Sequence, residues 1–181
     1  MKRSIALLSI VTLAVLLGAA LPRHEAPAAP GAVATDKQIW TPTIGYVTAA
    51  AEQMPESLYA YRPVATVRTF GELIAHLAGS QHMFCAAATG EKASAEDDIE
   101  KTVKGKAALV AALKASTDYC QKAYSMSDAD AMARPVEMFG MKGTALWALL
   151  ENTAHDNEHY GNIVTYIRML GMVPPSSQPR K

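Results

Sequence analysis

The sequence is poor in cysteine, in aromatic residues and in net charge. It has two Cys, and its two Trp, seven Tyr and three Phe make up only 7% of the chain. Two Cys make no disulfide framework, so stability must come from an ordinary apolar core, which 181 residues can supply. Seventeen Lys and Arg balance seventeen Asp and Glu, with no polybasic run and no acidic tail. That balance excludes the usual basic footprint of a nucleic-acid binder. There is no internal repeat and no strand-like alternation longer than a few residues, which argues against an all-β fold. Nor does any apolar run reach the roughly 20 residues of a full membrane span.

What is present begins with an export signature. Lys2 and Arg3 precede the apolar run Ile5–Leu17, interrupted only by Ser9 and Thr12, and Gly18, Ala19 and Ala20 follow. This is the layout of a secretory signal peptide. Counted on to Leu21, the run reaches the lower limit for an uncleaved anchor, the lesser reading. No Cys follows it, so a lipoprotein anchor is excluded. Cleavage is expected near residue 21, with a second small-residue site at Ala32-Val33-Ala34. Residues 22–37, rich in Pro and Ala, read as a tether, residues 38–177 as the folded body and 178–181 as a tail. Without residues 1–34, 14 cations face 16 acids, so the body is mildly acidic. The expectation is a periplasmic or secreted protein, touching the membrane only if the segment stays uncleaved.

The body reads as helices. Thr41-Pro42 looks like an N-cap with Pro at the first helical position, opening a helix that Pro55 ends. Thr69-Phe70-Gly71-Glu72 is a capping box for a second helix, which Gly90 closes. Ser94 and the acids Glu96, Asp97 and Asp98 open a third helix, read as continuous to Tyr124, and the acids read as a solvated helix start. Ser127–Gly143 reads as irregular, extended at Arg134-Pro135. The fourth helix starts at Gly143-Thr144 and ends at Gly171, ahead of Pro174-Pro175. The fold class is therefore all-α, a four-helix bundle after an N-terminal signal segment, and such bundles build their sites between facing helices. With the second and third helices read as an antiparallel hairpin, Cys85 and Cys120 stand about 30 Å out of register and are expected to be free buried thiols.

The histidines carry the chemistry. His155 and His159, four residues apart, lie about 40° apart on one face of the last helix. Their polar stripe borders the apolar arc of Leu149, Tyr160, Ile163, Val164 and Ile167. Two imidazoles at this spacing can chelate one cation, and His76, near the apolar seam of the second helix, can complete a three-imidazole site with an open position. His82 lies about 120° around from His76 and His24 falls in the tether, so neither serves this site. Zinc or nickel is the first expectation for the metal, with iron or manganese next, since donor type alone does not separate them. Glu151, Asn152, Glu158 and Asn162 are candidates to orient the imidazoles or a substrate, or to act as a base. His155-Asp-Asn-Glu-His159 also fits the short pattern of inverted zinc peptidases, but those need a larger fold and a further acidic ligand.

Two segments carry a resemblance. Val67–His76, continuing to Phe84-Cys85, resembles the second helix of the DinB family. His155-Asp-Asn-Glu-His159-Tyr-Gly-Asn-Ile-Val-Thr-Tyr-Ile-Arg168, running to Gly171-Met-Val-Pro-Pro-Ser-Ser177, resembles its last helix and tail. Glu52–Pro55 through Tyr61–Pro63 is similar to its first inter-helix connection. The resemblance spans about residues 38–177. It implies a DinB/YfiT-like bundle, a divalent metal on His76, His155 and His159, and often a homodimer. It also implies a metal-dependent transferase, isomerase or hydrolase acting on a small molecule, in some relatives with a low-molecular-weight thiol. Export departs from the usual cytoplasmic member, and thiol cofactors are mainly cytoplasmic. The alternatives are a non-enzymatic metal-binding or stress-associated module of the cell envelope and a purely structural bundle.

Overall fold

The computed structural model describes residues 29–93 and 95–179; the expected signal peptide and the start of the tether lie outside them. Six α-helices run in chain order: α1 (Ala32–Gln53), α2 (Phe70–Thr89), α3 (Asp98–Thr102), α4 (Lys106–Ala123), α5 (Asp128–Ala133) and α6 (Ala145–Met169). Short 3-10 turns cover Glu56–Leu58 and Pro175–Ser177, and strands β1 (Pro135–Met138) and β2 (Met141–Thr144) form a small hairpin. The long helices α1, α2, α4 and α6 make a four-helix bundle. No described helix is long and apolar enough to cross a membrane.

Several ends form as local chemistry dictates. The Thr69 hydroxyl accepts from the Glu72 N–H at 3.2 Å, and the Glu72 carboxylate accepts from the Thr69 N–H at 2.7 Å, a complete capping box. Gly90 closes α2 in the left-handed conformation, φ 76°. Thr144 caps α6.

The start of α1 corrects the sequence reading. The helix begins nine residues before Thr41-Pro42 and takes in residues 32–37, assigned above to the tether. Its cap is remote: the Asp128 carboxylate accepts from the N–H groups of Ala32 and Val33 at 2.7 and 3.0 Å. Buried Val33, Asp36 and Trp40 anchor the added turns, and Pro42 sits inside the helix. The third helix is also corrected. It breaks at Val103–Gly105 into α3 and α4, with Gly105 at φ 83°. Ser127–Gly143 is likewise more regular than expected, folding as α5 and the hairpin.

The helix directions follow from paired contacts. Trp40 meets Asp156 and Tyr46 meets Tyr160, so α1 and α6 run parallel. His76 meets His155 and His159, and Arg68 meets Tyr166, so α2 and α6 run antiparallel. Gln81 meets Ser116 and Thr117, and Cys85 meets Cys120, so α2 and α4 run parallel. The bundle is up-down-down-up, and residues 90–105 travel back along it to begin α4 beside the start of α2. This overturns the antiparallel hairpin and with it the expectation of free thiols. Cys85 and Cys120 stand in register, with Cα atoms 5.3 Å apart, and are joined by a disulfide.

Candidate metal centre

Helix α2 is the central helix, with His76 on its face toward α6 and itself buried. One turn on, Ser80 donates its hydroxyl to the His76 carbonyl at 2.8 Å. Its oxygen lies 3.3 Å from His155 Nδ1. Across the interface, His155 and His159 occupy successive turns of α6. The three Nε2 atoms form a triangle with every edge 3.1 Å.

Three ring nitrogens at that separation cannot all point N–H bonds at one another. Burial lowers the His76 pKa to about 4, helped by the charge of Arg68, and that of His155 to about 3, helped by its neighbouring imidazoles. Burial also lowers that of His159, against a smaller opposing effect of Glu158. All three rings are therefore neutral near pH 7, each with one lone pair to give. Nitrogen donors about 2.0–2.1 Å from a common ion stand about 3 Å apart, so the triangle fits a single divalent metal. His76, His155 and His159 are also the one group of three or more metal-ligating side chains that converges among the described residues.

Two of the outer ring nitrogens have polar neighbours at hydrogen-bond distance, and the third, His76 Nδ1, has carboxylates nearby but no hydrogen bond. His155 Nδ1 faces the Ser80 hydroxyl. His159 Nδ1 lies 3.3 Å from Asn162 Nδ2, and the same amide turned over presents Oδ1 to accept from the Nδ1–H of a ring whose Nε2 lone pair faces inward. His76 Nδ1 lies 3.5 Å from Glu96 Oε1 and 3.9 Å from Glu100 Oε2.

Glu96 and Glu100 are not among the residues that helical spacing singles out, and in sequence Glu96 reads as part of a solvated helix start. Gly79 explains the difference. A Cβ there would collide with the Glu96 carbonyl, so the returning connection lies directly on the α2 backbone one turn from His76. Glu96 Oε1 also comes within 4.0 Å of His155 Nε2. A glycine in the middle of an apolar helix is the signal that could have pointed to it.

Of the four orienting candidates, Asn162 alone reaches a site imidazole by hydrogen-bond distance. Glu151 accepts from Trp147 Nε1 at 2.9 Å. Asn152 is buried on another face and donates to the Tyr124 hydroxyl at 3.1 Å. Glu158 is exposed and acts on His159 through charge alone. His82 stacks on Tyr119, away from the triad, as its angular position required. Phe84 walls the centre, its ring 5.5 Å from that of His155, and Phe139 of the hairpin turn packs on it edge-on at 6.0 Å. The centre is not sealed. A cavity of 530 Å³ opens beside His159, lined also by Arg68, Glu100, Asn162 and Tyr166.

Solved structures share this architecture. A DinB-like protein from Bacillus subtilis is 22% identical with TM-score 0.63, the match covering 81% of this chain and 99% of that one. A member of the DinB family from Exiguobacterium sibiricum is 19% identical with TM-score 0.63, over 80% of this chain and 95% of that one. A mycothiol-dependent maleylpyruvate isomerase is 18% identical with TM-score 0.57, over 78% of this chain and 68% of that one. No curated protein sequence matches the chain. The profile of the DinB superfamily matches residues 41–163, a stretch that includes all three converging histidines. The chain belongs to the DinB superfamily.

Proposed function

We propose that this protein is a metal-dependent enzyme of the DinB type, with His76, His155 and His159 holding one divalent transition metal, zinc or nickel before iron or manganese. The observation that carries the reading is the triangle of three neutral Nε2 atoms, 3.1 Å on each edge, beside an open cavity. A closed structural zinc site would use four protein ligands, whereas three imidazoles leave a coordination position for a substrate or water. A divalent metal there lowers the pKa of a bound thiol or water and so supplies a nucleophile near neutral pH.

The chain's own residues do the rest. Ser80 accepts from the outer ring nitrogen of His155, Asn162 stands beside that of His159, Glu96 places a carboxylate at the rim of the triad, and Phe84 packs against one side. Glu96 is the base candidate that the geometry favours, since Glu151 is turned away to Trp147. The reaction class proposed is transfer or hydrolysis on a small molecule. A thiol co-substrate is suggested by the mycothiol-dependent isomerase of the same fold. The chain is further proposed to act outside the cytoplasm; the Cys85–Cys120 disulfide supports this, because such bonds persist in oxidising compartments. A homodimer is also proposed, as is common in the family.

Metal analysis of untagged protein refolded with a panel of divalent ions tests the centre. About one equivalent of one metal is expected, and a content below about 0.1 equivalent of every metal would refute the proposal. Should metal bind while a screen of thiols and electrophiles shows no turnover, the non-enzymatic envelope module becomes the better reading.

A further inference from the structure

We infer that the cavity beside His159 is a carboxylate-binding site anchored by Arg68, so that the small molecule taken up at the three-imidazole centre carries a carboxylate. The inference builds on the proposed metal centre for the molecule's destination, but the anion site stands on Arg68 and the cavity alone. The cavity volume, 530 Å³, lies within the range of small-molecule sites. Arg68 and His159 line the same space, with Asn162 and Thr66 as further polar groups.

The guanidinium is already aimed. Arg68 Nε donates to both Glu100 oxygens at 3.1 Å, and the Arg68 carbonyl accepts from the Tyr166 hydroxyl at 2.7 Å, so both ends of the residue are held. The terminal Nη atoms make no hydrogen bond among the described residues, and the side chain is 41% exposed. A planar fork with a free edge matches a carboxylate in bidentate fashion. The other arginine close by, Arg62, lies 3.8 Å from Glu72 and outside the cavity lining.

The test is a titration followed by ligand NMR, with benzoate, its neutral counterpart benzamide and inorganic phosphate as probes, on metal-free and zinc-treated protein. Glu100→Gln serves as the background, so that removing Arg68 does not leave an unpaired carboxylate. Benzoate is expected to bind the wild type and Glu100→Gln, and benzamide to bind at least about 10-fold more weakly to metal-free protein. Arg68→Met/Glu100→Gln should weaken benzoate binding by about 10-fold or more. If the double variant does not fold, Arg68→Lys decides: about 3-fold or greater weakening supports a bidentate anchor, and unchanged binding overturns it.

Absence of benzoate binding, equal binding of benzamide, binding of phosphate alone, or indifference to Arg68 each overturns the inference. Failure of zinc to load, with Arg68-dependent benzoate binding retained, refutes the metal centre and leaves the anion site. Zinc loading without that binding does the reverse.

Discussion

Helix α6 buries polar groups on two faces, and among the described residues only one of them gathers metal-ligating side chains. Toward α2, His155 and His159 join His76 with three lone pairs converging and a cavity alongside. Toward α1 and α4, Asn152, Thr153 and Asp156 meet Trp40 and Tyr124. There Trp40 Nε1 donates to Asp156 at 3.1 Å, and the Tyr124 hydroxyl bonds to Thr153 Oγ1, Asn152 Nδ2 and the Leu149 carbonyl at 2.8–3.1 Å. The Trp40 and Tyr124 rings stack at 4.3 Å over this network. Buried polarity alone therefore does not mark a site. The second network is gathered around the Tyr124 hydroxyl, with Asn152 Oδ1 and Asp156 Oδ1 left without partners, whereas the first brings three ring nitrogens to one point, an arrangement that a Lewis acid satisfies.

If this contrast holds, damage to one face should spare the function of the other. The largest effect belongs to neither face. Replacing Cys85 and Cys120 with Ala opens a link spanning 35 residues, and should cost about 4 kcal/mol in urea unfolding while leaving metal affinity within about 3-fold. A loss under about 1 kcal/mol would show that the disulfide contributes little to holding α2 against α4.

Next comes His155→Ala, which should weaken metal binding by more than about 100-fold and abolish metal-dependent thermal stabilisation. An unchanged thermal response would remove His155 from the ligand set. Tyr124→Phe strips the hydroxyl at the hub of the other network and should cost about 1–3 kcal/mol, with metal affinity unaltered. Ser80→Ala should do the opposite, weakening metal about 10-fold with little change in urea midpoint. If both variants moved both readouts equally, the two faces would be one coupled unit.

The smallest effect is a pH slope. Asp156 is fully buried and burial raises its pKa well above the ordinary carboxylate value. The folded state thus holds a proton that the unfolded chain releases near pH 4, so this group's contribution to stability falls as pH rises from about 4 through the folded value. Burial raises Asp36 too, with the same sign. Asp156→Asn keeps an acceptor for Trp40 and should flatten part of that slope, leaving the variant more stable than the wild type at high pH. An unaltered slope of urea midpoint against pH would assign the effect elsewhere.

The histidine constellation was legible from spacing. A period of 3.6 residues puts His155 beside His159 and sets His76, not His82, near the apolar seam, and these are the rings that meet. The capping box of Thr69 and Glu72, the helix stop at Gly90 and the cap at Thr144 were legible for the same reason, since each is closed by hydrogen bonds spanning a few residues. Glu96, Glu100 and Arg68 were not. Glu96 and Glu100 reach the centre because the connection after α2 doubles back over Gly79, and Arg68 because Tyr166 and Glu100 hold it there, matters of packing between segments that no local pattern encodes.

The sequence by itself determined both ends of α2 and α6, where α1 and α4 stop, and which side chains share a helical face, because those are short-range consequences of backbone geometry and periodicity. Only the tertiary structure decided that α2 and α4 run parallel, that Cys85 and Cys120 meet, and that Asp128 caps α1 from 96 residues away. It also decided which polar face of α6 meets a third imidazole from α2. These contacts join residues far apart in the chain, and burial of one shared apolar core selects them.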